Sequence, residues 1–555
     1  MKKIISLVLA LCMMLMVGAA FASEGNQDVP DTGSNADPAP AASFVVDTDI
    51  TISGLTAGDD VYLYKVIEVN SATGGWKLTD AFAALGTEGN DNYSANVMKI
   101  VGNDTSFAGL TKEDVEKIAN VAKAATKPTA EKVTGDTYTK AVDPGMYVAL
   151  VAPISADTIY NPIIVSADYN EGGNSIASSA TMGTSAVTKK QTVDLEKTTA
   201  DITLDAGEIV KFTVTSTIPA YSNSYVNPKF NLSDTLSTGL KFVVDTDHPF
   251  TVSSGDVTYT GAPANEATSF TLTFNSEKIA ALVAPQKVEI TYYAQITNAA
   301  PFNINEETND VTVEFSNNPS DDTDHGHKKD KVKEYTFSID GTLFGNSDWT
   351  TGEVVKVGLD GNGKPIEAEI NLDNGSKHAA LDGAVFGLYT TQADATAGND
   401  KYYTNSQFTG TVTTANGGLM NIKGLDEGTY YLKELSAPAG YIKDQEVHTI
   451  VIEAHKSTVE ETETLDDGCE VKYSVEVVDS YTVKVDNKTS TFTMTLDGPS
   501  VKTVTPAEDT SEIVNTKGVE LPSTGGIGTT IFYVLGGLLV VGAAVILVAR
   551  RKADN

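Results

Sequence analysis

The stretch 527–549, apolar apart from glycines and two threonines, constrains this chain more than any other feature. At about 1.5 Å per residue a helix of that length crosses a bilayer, and the basic residues behind it, Arg550, Arg551 and Lys552, stay on the cytoplasmic side. Everything ahead of it must fold in water outside the cell. At the other end, Lys2 and Lys3 precede an apolar run over 4–17, and Ala20-Phe21-Ala22 gives the small-x-small pattern of a secretory cleavage site between Ala22 and Ser23.

An exported chain is commonly braced by disulfides, and this one has no such option. Its two cysteines are Cys12, which leaves with the signal peptide, and Cys469, expected as a small buried apolar residue. A formal charge of -35, from 74 acidic against 39 basic residues, excludes nucleic acid and anionic lipid as partners, since both need clustered Lys and Arg. His325-Gly326-His327, close to Asp321, Asp322 and Asp324, shows no closed ligand set and reads as part of a solvated connector, so no metal and no cofactor is expected. The sequence has no His-Glu-x-x-His, no Gly-x-Ser-x-Gly and no phosphate-cradling glycine loop, which argues against an enzyme acting on an external substrate.

Residues 23–43, rich in Asp, Pro, Ala, Ser and Gly, lack periodicity and read as a disordered leader. Beyond them, short alternating runs separated by Gly, Asn and Asp turns predict strands over 50–52, 61–66, 145–151, 163–165, 209–218, 241–244, 270–274 and 288–296. One helix is expected over 112–125, with Thr111 as its cap. The expected fold is all-β, as tandem β-sandwiches: a first domain over 44–188, a second over 193–320, a charged connector over 320–333 and a third domain over 334–519. The run between Tyr441 and Asn515 is longer than a sandwich ending needs, which implies inserted strands near 471–478 and 491–496.

The order Leu521-Pro522-Ser523-Thr524-Gly525, apolar span, basic tail over 550–555 resembles the cell-wall sorting signal of Gram-positive surface proteins, which a sortase cleaves between Thr and Gly. Two further segments resemble the sortase-assembled major pilins. They are Leu381-Asp382-Gly383-Ala384-Val385-Phe386-Gly387-Leu388-Tyr389 and Tyr430-Tyr431-Leu432-Lys433-Glu434-Leu435-Ser436-Ala437-Pro438-Ala439-Gly440-Tyr441, the second similar to the family's E-box. The resemblance implies Ig-like sandwiches closed by spontaneous Lys–Asn isopeptide bonds, each promoted by a buried acid.

By that resemblance the third domain would join Lys356, in Glu353-Val354-Val355-Lys356-Val357, to Asn515, in Glu512-Ile513-Val514-Asn515, with Glu434 as the acid. The second would join Lys197, in Leu195-Glu196-Lys197, to Asn317, in Glu314-Phe315-Ser316-Asn317-Asn318, with Asp234 as the acid and Asn318 as the fallback acceptor. The first domain has no lysine in its opening strand and no internal bond is expected. Such bonds have a clear chemical requirement. The lysine must be neutral to attack, which burial favours, and the acid must be protonated, which burial also favours. The fold then turns a poor bimolecular reaction into an intramolecular one.

The resemblance also implies a surface lysine that accepts the Thr524 acyl group of the next subunit. In Val187-Thr188-Lys189-Lys190-Gln191, at the end of the first domain, Lys190 is the expected acceptor and Lys189 lies one register away. This stretch keeps the Val and Lys of the family's Val-Tyr-Pro-Lys-Asn but lacks its Tyr, Pro and Asn. Tyr225-Val226-Asn227-Pro228-Lys229 is closer as a string but falls inside the second domain. The implied role is the backbone subunit of a covalent pilus, with a sortase, identical subunits and peptidoglycan as partners, and with tip and basal pilins and a host receptor as further ones. The alternatives are a monomeric wall-anchored adhesin and a basal pilin.

Overall fold

The computed structural model describes residues 48–167, 183–222, 225, 227–300, 306–319, 323, 325–340, 353–364, 366, 379–466, 468–496, 502–506, 511–518 and 527–553. The signal-peptide cleavage site Ala22/Ser23, the leader and the sorting signal 521–525 lie outside these residues.

In the first domain, strand Gly145–Ala152 is buried along nearly its whole length, because it is covered on both faces. It lies in the sheet Gly75–Leu78, Asp60–Asn70, Gly145–Ala152, Ile163–Ala167. One face packs on helices Ala95–Val101 and Lys112–Ala124 through Val97, Ile100, Ile118 and Ala122. The other packs on strands Thr48–Ser53 and Thr137–Val142 through Ile50, Ile52 and Tyr138. Thr111 caps the second helix as expected, in a capping box with Asp114. The first helix and the 3-10 turn Asp80–Gly86 were not expected; they are too short to show a clear helical period.

The second domain is a sandwich whose strands alternate buried and exposed residues, as in Ile209–Ile218. One sheet runs Leu195–Thr199, Ile209–Ile218, Gln286–Ile296, Leu240–Val243; the other runs Tyr259–Thr260, Ser269–Phe274, Phe230–Leu236, Glu307–Ser316, His325–Glu334. Phe212, Phe230, Phe242, Phe270, Tyr292 and Phe315 fill the space between. The last strand corrects the expectation of a connector over 320–333. His325–Glu334 pairs antiparallel with Glu307–Ser316 from Glu307↔Glu334 to Ser316↔His325, so the second domain extends to Glu334. Its charge masked it: Lys329, Lys331 and Lys333 are nearly buried because each meets a carboxylate.

In the third domain, Val354–Leu359 runs parallel to Ser511–Thr516, so the opening and closing strands lie side by side. The main sheet has seven strands, among them Val385–Tyr389, Gly428–Ser436, Val447–Thr464 and Glu470–Val485. The inserted strands are therefore real but differently arranged. The region 471–478 belongs to a hairpin far longer than a sandwich needs, and 491–496 lies within Lys488–Leu496. A register shift at His455/Lys456 marks where the hairpin leaves the sandwich. Beyond it, residues 456–464 extend roughly 30 Å along the second domain by strand rise. There Lys329 Nζ donates to Glu463 at 2.7 Å and Lys333 Nζ to Glu461 at 2.7 Å, while the Tyr473 hydroxyl donates to Glu461 at 3.0 Å. Cys469 sits at this hairpin's turn, half-buried rather than in a core, since a turn has only one side to pack against.

Helix Ile527–Ala553 ends the chain and, among the described residues, is the one helix long and apolar enough to cross a membrane.

Candidate cross-link sites

Lys197 enters the second domain from an edge strand, yet its side chain is fully buried because it points between the two sheets. Its Nζ donates to Asp234 Oδ2 at 2.9 Å and to Asn309 Oδ1 in a close contact, with the rings of Phe212 and Tyr292 at 5.7 and 5.6 Å. Asp234 and Asn309 come from paired strands of the opposite sheet, at adjacent inward positions in the register Asp234↔Val311 and Leu236↔Asn309. Burial pushes the Lys197 amine below the usual lysine range, against the pull of Asp234. Burial likewise pushes the Asp234 carboxyl above the carboxylate range, against Lys197.

This arrangement sets Asn309, and not the expected Asn317, beside the lysine. Asn317 stands past the end of strand Glu307–Ser316, roughly 27 Å further along by strand rise. Asn317 is buried at the boundary with the first domain, where its backbone carbonyl accepts from the Tyr225 hydroxyl at 3.1 Å. Asn318 is its neighbour and is no closer to the lysine. Parity in the sequence is not enough to find Asn309: it shares strand parity with the buried Val311, Val313 and Phe315, but so does Asn317, and only the register against Phe230–Leu236 sets Asn309 near Asp234.

The third domain brings together the residues named from its sequence. The side chains of Lys356 and Glu434 are fully buried, with Nζ 3.6 Å from Glu434 Oε1, and Asn515 Nδ2 donates to that same oxygen at 2.9 Å. The other carboxyl oxygen accepts from the Asp444 backbone N–H at 2.5 Å. The parallel ladder sets Lys356 against Ile513 and Gly358 against Asn515, which places lysine and asparagine on neighbouring strands. Neither Lys356 Nζ nor Asn515 Oδ1 makes a hydrogen bond, and burial holds the amine below the ordinary lysine range. Gly418, at φ +75°, makes room: a Cβ there would lie 2.3 Å from the Lys356 carbonyl oxygen. One feature escaped sequence reasoning. Asp340 and Glu353, both buried, anchor the start of the lysine strand: Asp340 Oδ1 accepts from the Glu353 N–H at 2.9 Å, and Glu353 Oε2 from the Asp340 N–H at 2.6 Å.

Lys189 and Lys190 are exposed where strand Lys190–Thr192 pairs with Thr158–Tyr160 at the junction of the first two domains. They line different grooves. Lys189 borders one of about 560 Å³, with Leu110, Pro162, Tyr221 and Val283; Lys190 borders one of about 400 Å³, with Asp194, Thr217 and Pro219. Lys229, by contrast, is half-buried and paired to Glu314 at 2.5 Å. His325 Nδ1 lies 2.9 Å from the same Glu314, and no metal-binding cluster of His, Cys, Asp or Glu occurs among the described residues.

The chain resembles known proteins in a consistent way. Residues 367–467 match the prealbumin-like fold domain of the SpaA family, and residues 513–555 match the LPXTG cell wall anchor motif. The chain is 26% identical to the trypsin-resistant surface T6 protein of Streptococcus pyogenes serotype M6, over 91% of this chain and 95% of that one. The solved structure of the T6 backbone pilin, described as a modular three-domain structure decorated with variable loops and extensions, covers 84% of this chain and 98% of its own, at 19% identity and a TM-score of 0.51. The full-length major pilin SpaD of Corynebacterium diphtheriae matches at 17% identity, with a TM-score of 0.44 over 86% of this chain and 99% of its own.

Proposed function

We propose that this chain, a wall-anchored pilin of the sortase-assembled kind, is the repeating subunit of a covalent cell-surface fibre whose links are all made by lysines. Within the subunit, Lys197 bonds Asn309 with Asp234 as the acid, and Lys356 bonds Asn515 with Glu434 as the acid. Between subunits, a sortase cuts after Thr524 and passes the acyl group to Lys190 of the next copy; the last subunit is passed to peptidoglycan. The apolar helix holds the precursor at the membrane until that cut.

One observation carries the reading. Two lysines are completely buried, each against an asparagine and a carboxylic acid, in a chain that can form no intrachain disulfide. A buried ion pair is a poor source of stability, because desolvation offsets most of the attraction. A pair that reacts removes both charges. In each case Nζ attacks Cγ, the Cγ–Nδ2 bond breaks and ammonia leaves, a loss of roughly 17 Da per bond.

Two measurements test this. Peptide mapping of the folded protein should recover the peptides of Lys197 and Lys356 joined to those of Asn309 and Asn515; free side chains at both would end the cross-link reading. Immunoblots of wall extracts should show a high-mass ladder that collapses with Lys190→Ala. If Lys189→Ala collapses it instead, the neighbouring groove holds the acceptor. A single band in the unmodified strain would mean a monomeric adhesin. Tip and basal pilins and a host receptor complete the proposed set of partners.

A further inference from the structure

We propose that Tyr292 is a catalytic residue of the second-domain cross-link, a proton relay that lets a short acid reach the amide it must activate. This rests on the isopeptide reading above. The Tyr292 hydroxyl donates to Asp234 Oδ2 at 2.8 Å and accepts from Asn309 Nδ2 at 2.9 Å. Asp234 has no direct path: Oδ2 is engaged by Lys197 and Tyr292, and Oδ1 has no hydrogen-bond partner. The connection between acid and leaving nitrogen runs through the phenol.

The third domain shows the alternative. Glu434 is longer by one methylene and takes the Asn515 Nδ2 hydrogen bond itself, and the ring that Lys356 Nζ lies over, 5.3 Å from its centroid, is Phe386, which has no hydroxyl. Aspartate plus tyrosine in one domain thus spans the distance that glutamate spans in the other. Tyr292 is held for the task. Its ring stacks on Phe212 at 5.3 Å and meets Phe242 and Phe270 edge-on at 5.3 and 5.7 Å, so its hydroxyl has little freedom. Burial, and then the nearby Asp234, keep the phenol protonated.

Neutral Lys197 Nζ attacks Asn309 Cγ, and Nδ2 gains a lone pair as that carbon becomes tetrahedral. Once attack has left Nδ2 pyramidal, the two hydrogen bonds through the phenol reverse: Tyr292 gives its proton to Nδ2 and takes one from Asp234 Oδ2. The Cγ–Nδ2 bond breaks, ammonia leaves, and the surplus proton on Nζ returns to Asp234. Both relay groups end as they began.

The test follows bond formation over time after pulse-labelled synthesis of the full chain, quantifying the Lys197–Asn309 and Lys356–Asn515 peptides by mass spectrometry. Tyr292→Phe should slow the first bond by roughly tenfold or more and leave the second unchanged. Adding Asp234→Glu to Tyr292→Phe should restore the rate, which a packing role would not predict. The proposal is overturned if Tyr292→Phe bonds at the unmodified rate, if the double variant stays slow, or if hydrogen exchange shows strand Gln286–Ile296 unprotected in Tyr292→Phe. An unmodified chain that lacks the first bond removes the isopeptide reading, and the relay falls with it.

Discussion

Asn309 and Asn317 have the same strand parity, and only position along the strand separates them: Asn309 pairs opposite Leu236, whereas Asn317 lies beyond the strand's last residue. Asn309→Ala should therefore abolish one loss of roughly 17 Da in the intact mass, whereas Asn317→Ala should keep it. Lys197 and Asp234 are named from the resemblance of their segments to pilin sandwiches, and the structure places both side chains in the interior. Tyr292 is not named, since a tyrosine among core aromatics looks like packing until its hydroxyl is seen between two polar partners. Glu334 makes the stability of the second domain depend on pH. It is buried with neither carboxyl oxygen hydrogen-bonded, and burial pushes its pKa from 4.5 to about 8, against Lys197 and with help from Glu307 and Asp234. A folded-state pKa above the unfolded one means that the native protein holds the proton more tightly. Its stabilising effect is then complete below about 4.5 and lost as pH rises through about 8. Glu334→Gln should flatten that decline and raise stability at pH 8 by on the order of a few kcal/mol, read from denaturant melts across pH.

The element that sequence reasoning misjudged is strand His325–Glu334. Its lysines look solvated in one dimension because their counter-charges, Glu461 and Glu463, come from a hairpin more than a hundred residues away. That hairpin runs from the third domain along the second and ties the two together, helped by Lys456, which meets Asp201 at 2.9 Å and Glu427 at 2.8 Å. Surface ion pairs contribute little, but these lysine side chains are only 9–14% exposed, so leaving them without partners is costly. Glu461→Lys combined with Glu463→Lys should cost about 1 to 3 kcal/mol in local stability and speed hydrogen exchange over 456–478. Small-angle scattering should then show a wider spread of interdomain angles. Adding Lys329→Glu and Lys333→Glu should reverse both changes only in part, since Asp310 and Glu306 then face the new carboxylates.

Across the whole molecule, the two cross-links would work with the strand order. In the third domain the bond would join adjacent parallel strands at the two ends of the domain, so tension entering by one would leave by the other without opening the sheet. In the second domain it would tie the opening strand to the last but one, and the hairpin covers the final strand. Closing loops of this size contributes about 4 to 5 kcal/mol each by the chain-entropy arithmetic used for disulfides. Lys197→Ala and Lys356→Ala should each lower the melting temperature of their own domain. Loss of resistance to pulling in single-molecule experiments should be the larger effect.

Local order in the chain was enough to find the apolar span, the mostly β class and the residues that meet around Lys356, because each is written in short stretches: an apolar run of fixed length, alternation along a strand, a motif of contiguous residues. The place of Asn309 beside Lys197, the Tyr292 hydroxyl between Asp234 and Asn309, and the hairpin along the second domain emerged only from the tertiary structure. Those depend on which strands are neighbours and in what register, and register is set by the packing of the whole sandwich rather than by any segment of it.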